Sequence, residues 1–435
     1  YFCSEGKGMR IIIIRPKFSH PPVPPPDTPL GALYVLSALR NEGHFVSFCD
    51  SNNQELPDLE KFDVVGFTML PFARKQAFGL IKEIKNKYPE KKVILGGTFP
   101  SSVPLQLLEE YPIDAIVMGE GEETTRELLN CWENGESIDS VKGIATKKLG
   151  VHPKRELLKM DELPRPAWDL INFDWYKMQF AQAHPSWIIN GVEFGKARYT
   201  GISASRGCPG RCYFCNTPKH WQYRYRWMSG FVLGREVEYL YNHYNIQLFS
   251  FNDDCFPVNP QQLNEFCDYL KKSNIHIAWK CDTRADVLNK EMIQKMKESG
   301  CFMIALGVES GSEKIIKNIK KGINLEKTKE VIKLINEAGI VSYALLMVGN
   351  IGETEETIQE TKKWMLDAQP QIYSFVCGVM ITPDTELCEY CEKINYLNPD
   401  YWVKEEDGLP YFLAENNYEK LTQFSTILNT IPKRL

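Results

Sequence analysis

Two successive series of short apolar strands alternating with helices constrain this chain more than any other feature of it. Such alternation specifies parallel sheets covered by helices, because a parallel strand pair needs a crossover of a dozen or more residues. In the first series the strands are RIIIIRP (Arg10 to Pro16), FVSFCD, DVVGFTML, KVILGGT and DAIVMGEGEE. The intervening helices are LGALYVLSALRNEG, ended by Gly43, then PFARKQAFGLIKEIKNKY and PLQLLEEY. This predicts a five-stranded parallel α/β sheet over residues 9–150. The second series starts near Tyr199 with YTGISAS, IQLFSFND, IAWKCDT, FMIALGVES, VSYALLMVG and IYSFVCGVM. Asn289 and Gly300 punctuate one of its helices as N-cap and C′ residue, and Asn324 and Gly339 the next. Six β/α units predict a (β/α)6 partial barrel over 199–387, which places chemistry at the C-terminal ends of the strands.

Residues 151–198 lose this rhythm. DELPRPAWDLINFDWYKM, rich in Pro and Trp, reads as a crossing linker. Residues 388–435 are polar and aromatic without a clear period and read as a C-terminal extension. With 435 residues, 43% hydrophobic and 25% charged, the chain has the composition of an ordinary globular protein large enough for two or three cores. A net charge of −5 with no strongly basic block points away from nucleic acid. No apolar run approaches the ~20 residues that span a bilayer. The opening YFCSEGKG ahead of Met9 has no apolar signal region, so a secretory signal is not expected. Thirteen cysteines, mostly scattered but with one tight cluster, fit reduced thiols in the cytoplasm and a metal or cluster site rather than a disulfide scaffold.

That cluster is Cys208-x3-Cys212-x2-Cys215, in the loop after the first strand of the second series. Thiolates are soft ligands suited to zinc or iron–sulfur centres. A structural zinc site would want a fourth donor, for which His220 stands five residues on. A cubane on three cysteines instead leaves one iron free for a ligand. Here the sequence resembles the radical S-adenosylmethionine (radical SAM) superfamily, whose CxxxCxxC motif it matches, with aromatic Phe214 before the third cysteine. The resemblance implies a 4Fe-4S cluster whose open iron is chelated by SAM, and reductive cleavage to a deoxyadenosyl radical. It also implies SAM contacts after later strands: Asp253 and Asp254 in NDDCF toward the amino group and Arg284 in DTRAD toward the carboxylate. Glu309 in GVESG would meet the ribose or amino group, and Gly349 in MVGNIGETEET would lie near the adenine. Pro383 stands where the family has its PGT turn. The plainer readings are that the two aspartates cap a helix and that Glu309 is a turn residue.

The first series has no G-x-G-x-x-G after its first strand and no Walker A sequence, so a dinucleotide site is not expected. Its glycines stand at the ends of the fourth and fifth strands, the edge where open α/β sheets bind ligands. The stretch resembles the Rossmann-like cobalamin-binding domain that precedes the partial TIM barrel in one radical SAM subclass. The likeness rests on TPLGALYVLSALRNEGHFV, GFTML, LGGTFPS, VMGEGEE and the linker LPRPAWDL. It implies cobalamin contacts from Thr68, Met69, Leu70, Gly96, Gly97, Gly119, Glu120 and Gly121. The D-x-H-x-x-G motif that supplies a lower cobalt ligand is absent, and His20 is the one histidine in the corresponding loop.

Other motifs are weaker. Cys388-x2-Cys391 offers too few ligands for a second cluster, and Cys255 reads as a small buried filler. Tyr213, Tyr343 and Tyr373 read as core. WQYRYRW (Trp221 to Trp227) would meet an anionic substrate or shield the cluster. The resemblance therefore implies a cytoplasmic, oxygen-sensitive enzyme whose two modules face a shared cavity. It would methylate an unactivated carbon or phosphorus centre: one SAM methylates cob(I)alamin, a second yields the radical. The alternatives are a cobalamin-dependent cyclase or ring-rearranging oxidoreductase, a cobalamin or SAM sensor without turnover, and a radical SAM enzyme whose front domain binds substrate. A small-molecule or lipid-like substrate is expected, with flavodoxin or ferredoxin as electron donor.

Overall fold

A computed structural model of the chain describes residues 8–18, 27–406, 408–413, 418–432 and 434. His20 lies outside the described residues. The chain divides into two compact units. One comprises the chain through Trp175 with Glu392–Leu409; the other comprises Tyr176–Cys391 with the chain from Pro410 onward.

The first unit is built on the expected α/β sheet, with more strands than predicted. In spatial order they are Phe45–Asp50, Arg10–Arg15, Val64–Thr68, Lys92–Gly96, Ala115–Val117, Ile144–Thr146 and Gly150–Val151. The first five are parallel, and the last two add an antiparallel edge. Five strands thus become seven. The added pair is three and two residues long, too short for a period to show, and is turned at Gly143 and Gly150, both at positive φ. The core sets Ile11, Ile13, Val64, Ile94 and Val117 of the sheet against Leu36, Leu39, Leu128 and Leu129 of two helices. The strand order reverses between Arg10–Arg15 and Val64–Thr68, which makes a topological switch point.

The Pro-Trp stretch supplies structure to both units. Ala167 N–H donates to Leu33 O at 3.1 Å, Trp168 is buried, and Arg40 grips Asp169 through two bonds of 2.8 and 2.9 Å. From Tyr176 the chain belongs to the second unit. Much later, Glu392–Leu409 returns to the first unit. Arg74, fully buried, donates to Tyr401 O at 2.7 Å with its guanidinium 4.4 Å from the Tyr401 ring.

The second unit is a six-stranded parallel sheet in sequential order: Arg198–Ile202, Ile246–Phe251, Ala278–Thr283, Cys301–Glu309, Val341–Val348 and Ile372–Cys377. This is the expected partial barrel. Its helices begin as their caps predict: Asn289 accepts from Met292 N–H and Asn324 from Lys327 N–H. Beyond Pro410, Tyr411–Phe412 pairs with Val379–Met380, and a helix spans Tyr418–Asn429. No helix of the described residues is long and apolar enough to cross a membrane.

Candidate cluster and cofactor site

The loop that carries the three cysteines is staked at both ends. It leaves the first barrel strand at Ile202, and Ser205–Arg206 pairs antiparallel with Arg226–Trp227 to close its base. Gln262 Nε2 donates to Ala204 O at 2.9 Å and Met228 O at 2.8 Å, one on each side of that base. Gly207, at φ +98°, lies so close to Arg224 O that a Cβ would sit 2.2 Å from it. Both aspartates of NDDCF brace this loop. Asp253 accepts from Ala204 N–H at 3.0 Å and from the Ser205 hydroxyl. Asp254 accepts from Thr217 Oγ1 at 2.9 Å and Trp221 Nε1 at 3.1 Å. Phe256 pins the brace, stacked on Phe251 at 4.2 Å in a block with Phe266 and Trp279. Full burial of each such ring contributes about 2–3 kcal/mol.

The three thiols differ electrically. A hydrogen bond from Cys255, with help from Gly210 N–H at 3.4 Å and the Arg284 charge, pulls Cys208 down to about 7. Burial pushes Cys212 up to about 11, against the pull of Lys321, and pushes Cys215 up as well. Cys255 is buried, 3.4 Å from Thr283 Oγ1. No disulfide joins any of the described cysteines, Cys388 and Cys391 included.

Arg284 is less available than the sequence suggests. Its Nε and Nη2 donate to Asp286 at 2.9 and 3.0 Å, and Nη1 donates to Lys321 O at 2.9 Å. The fork expected to face a carboxylate is already closed on Asp286. The cation that sequence reasoning missed is Lys321. It is buried, its Nζ lies 2.7 Å from Glu309 Oε1, and its charge acts on Cys212. Only the Lys-Gly pair before the next helix could have flagged it, and that reads as a loop. Glu309 ends the fourth barrel strand at φ +64°, a left-handed conformation rare outside glycine.

After the fifth barrel strand, Gly349 at φ +102° and Asn350 both donate their N–H to Glu353 Oε2. Glu353 is buried, and burial raises it to about 7. Phe214 O accepts from Thr382 Oγ1 at 3.3 Å, next to Pro383. The hydroxyls of Tyr343 and Tyr373 are spent on Ser374 and Ile431 O. His220 lies edge-on to Trp221 at 4.7 Å. Among the described residues, no three or more His, Cys, Asp or Glu side chains are arranged to hold a single metal ion. The donor set does fit a larger anionic cluster: three free thiols, partly buried, under the influence of two buried cations.

In the first unit, register sets Thr68 beside Gly96 and Gly96 beside Val117, so three strand ends form one edge. Met69 N–H donates to Gly96 O at 3.0 Å. Gly97 has φ +106°, and a Cβ there would sit 2.9 Å from Met69 O. Ser101, unflagged by sequence, donates to Gly97 O at 2.7 Å and accepts from Gly119 N–H at 3.1 Å, tying two loops together. Nothing lies within 4 Å of a Cβ built on Gly119, and Leu70 is exposed. This open, side-chain-poor edge, which starts at the switch point with Thr68 and runs away from it, fits a large ligand's tail. Glu120 and Gly121 turn inward instead: Glu120 Oε2 accepts from Leu158 N–H at 2.8 Å, and a Cβ on Gly121 would meet Val35 at 2.9 Å.

Residues 202–365 match the radical SAM superfamily model, and residues 24–129 match the B12 binding domain model. An uncharacterised methyltransferase of Pyrococcus horikoshii is 30% identical over 389 residues, 86% of this chain and 81% of that protein. The chain belongs to the B12-binding radical SAM family. Its cofactors are a 4Fe-4S cluster, SAM and cobalamin, and it is an enzyme. An anaerobic magnesium-protoporphyrin IX monomethyl ester cyclase of Synechocystis is 27% identical, over 77% of this chain and 68% of that one. The structure of the radical SAM methyltransferase TsrM from Kitasatospora setae superposes with a TM-score of 0.71 at 19% identity, over 89% of this chain and 76% of that one, a likeness of fold.

Proposed function

We propose that this B12-binding radical SAM enzyme methylates an unactivated carbon or phosphorus centre of a small molecule, in a reducing cytoplasm. The observation that carries the reading is one chain holding both a braced three-thiol loop at a barrel mouth and an open, glycine-lined edge in a B12-binding domain. The relative it covers to 81% is named a methyltransferase.

Bound together, the cluster supplies an electron to SAM, and cobalamin supplies a carrier for its methyl group. The chain's own residues do the rest. Cys208, Cys212 and Cys215 would hold the cluster through their thiolates, and three ligands would leave it one iron for SAM. Lys321, with two ammonium protons beyond its Glu309 bond, receives the SAM carboxylate. Glu309 fixes that ammonium, and Arg284 shapes the loop from behind through Lys321 O. Asp253 and Asp254 act as positioning residues by holding the loop rather than by touching SAM. The turn from Gly349 to Glu353, held by the two N–H bonds to Glu353, and Phe214 would meet the adenosyl part of SAM. Thr68, Met69, Leu70, Gly96, Gly97 and Gly119 receive cobalamin.

Anaerobic purification from cobalamin-fed cells, with iron, sulfide and cobalamin counted per chain, tests the cofactor set. Turnover with SAM then tests the reaction: S-adenosylhomocysteine and 5′-deoxyadenosine should both form, with a product heavier by one methylene. The Synechocystis relative favours a second reading, cyclisation without methyl transfer. Deoxyadenosine without S-adenosylhomocysteine would select it and sink methylation. A loaded cluster with no cobalamin, even after reconstitution, would sink both.

A further inference from the structure

The aromatic and basic run after the cysteines is not used by the chemistry above. From Ser203 to Met228 the chain carries Arg206, Arg211, Lys219, Arg224 and Arg226 and no Asp or Glu, in a protein of net charge −5. Arg211 and Arg224 are exposed, and neither pairs with a carboxylate among the described residues. Tyr223 and Trp227 are 55% and 45% exposed. The Arg211 guanidinium lies 5.3 Å from the Tyr223 ring centre, so charge and aromatic surface form one feature. Three acids border this face: Asp384 and Glu389 share the single charge of Lys219, and Glu386 pairs with Lys320, so one acidic charge is left against the guanidiniums of Arg211 and Arg224.

This surface lies directly against the thiols. Arg211 is the residue before Cys212. Cys212 and Cys215 line a cavity of about 390 Å³ together with Arg211, Lys219, Tyr223 and the lysine-paired Asp384 and Glu386. A partner seated on Tyr223 and Arg211 would therefore rest on side chains that line the same cavity as Cys212 and Cys215.

We propose that this face is the docking surface for an acidic one-electron carrier protein. The inference rests on the cluster reading above and names the partner of that site. Unpaired guanidiniums around exposed aromatics favour a carboxylate-rich protein surface, with steering by charge and adhesion by the rings. In the step served, the reduced carrier loses one electron and the oxidised cluster gains it; no proton or group moves.

The test uses the full chain, both cluster-loaded and cluster-free, with a purified bacterial flavodoxin. Binding is measured by calorimetry at low salt and at about 0.5 M salt, where charge attraction is screened within a few ångströms. Reduction of the loaded cluster is followed by stopped flow with flavodoxin hydroquinone and, separately, with dithionite. Arg211→Glu with Arg224→Glu should weaken flavodoxin binding about tenfold or more at low salt and much less at high salt. Reduction by flavodoxin should slow in parallel, while reduction by dithionite stays the same. Tyr223→Ala with Trp227→Ala should weaken binding at both salts. Arg224→Glu alone, outside the cysteine spacing, covers the case in which the double variant loses iron.

Unchanged flavodoxin binding and transfer in iron-replete variants overturns the proposal. So does equal slowing with dithionite at unchanged affinity, which would make the charges act on the cluster itself. Loss of binding only to vesicles of anionic phosphatidylglycerol would overturn it in favour of a membrane contact. If the wild-type chain takes up no cluster, the functional reading fails; flavodoxin binding by the cluster-free chain still judges the surface.

Discussion

Asp253 tests how the cysteine loop is held. Its buried carboxyl accepts from Ala204 N–H and the Ser205 hydroxyl, and burial raises its pKa from 3.8 to about 7 against the opposing pull of Ser205. The folded chain thus keeps this proton up to about pH 7, while the unfolded chain releases it near 3.8. Between those values the folded state binds more protons, so stability falls as pH rises. The full gap amounts to roughly 4 kcal/mol once pH exceeds 7. Asp253→Asn keeps an acceptor for Ala204 and a partner for Ser205 but carries no charge. The second unit of that variant should match wild type near pH 4 and be more stable at pH 8. Asp253→Ala leaves two buried groups unpaired, at about 1–3 kcal/mol each, and should destabilise at every pH. Amide exchange in Arg198–Ile202 and Ile246–Phe251, corrected for the intrinsic rate at each pH, reads this unit by itself. Glu353, also raised to about 7, gives a slope common to wild type and variant, so the difference between them is the measured quantity. If wild type and Asp253→Asn run parallel from pH 5 to 8, burial is not holding the proton and the account is wrong.

Gly97→Ala must place a side chain in a backbone region open almost only to glycine and 2.9 Å from Met69 O. A loss of about 2–3 kcal/mol, seen as faster exchange of the Met69 amide with weaker cobalamin retention, is expected; unchanged exchange would remove the close-approach argument. Lys321→Met strands Glu309 in a buried site and should cost about 3–5 kcal/mol, whereas Lys321→Met with Glu309→Gln should recover much of it. Thermal unfolding checks the pair, and a double variant no better than the single would show that the ion pair is not the cause. In the cluster-free chain at pH 8, Cys208, pulled down to about 7, is largely thiolate, while Cys212, pushed up to about 11, is largely thiol. Iodoacetamide with mass spectrometry should therefore label Cys208 well before Cys212, and the reverse order would contradict the electrostatics described.

What the sequence made legible is what repeats over many residues. The strands and helices of the two series need no distant partner to be read, since each strand is an apolar run and several helices open on a cap such as Asn289 or Asn324. The hairpin at Ile144–Val151 has too few residues to carry a period, and the return of Glu392–Leu409 to the first unit depends on Arg74, more than three hundred residues away. The same division explains the site. Cys208, Cys212 and Cys215 are spaced along one loop, so local order reveals them. Arg284 and Lys321 cannot be ranked locally, because each is defined by where its charge goes. Arg284 looks like the carboxylate receptor until Asp286, two residues on, is seen to fill its fork. Lys321 looks like an ordinary loop lysine until the end of the fourth strand brings Glu309 to it. A guanidinium already held by a carboxylate on its own turn gains little from a second anion, whereas an ammonium with one acceptor has two protons left to give. On these grounds we propose that an incoming carboxylate is anchored by Lys321, which the fold buries against Glu309, rather than by Arg284.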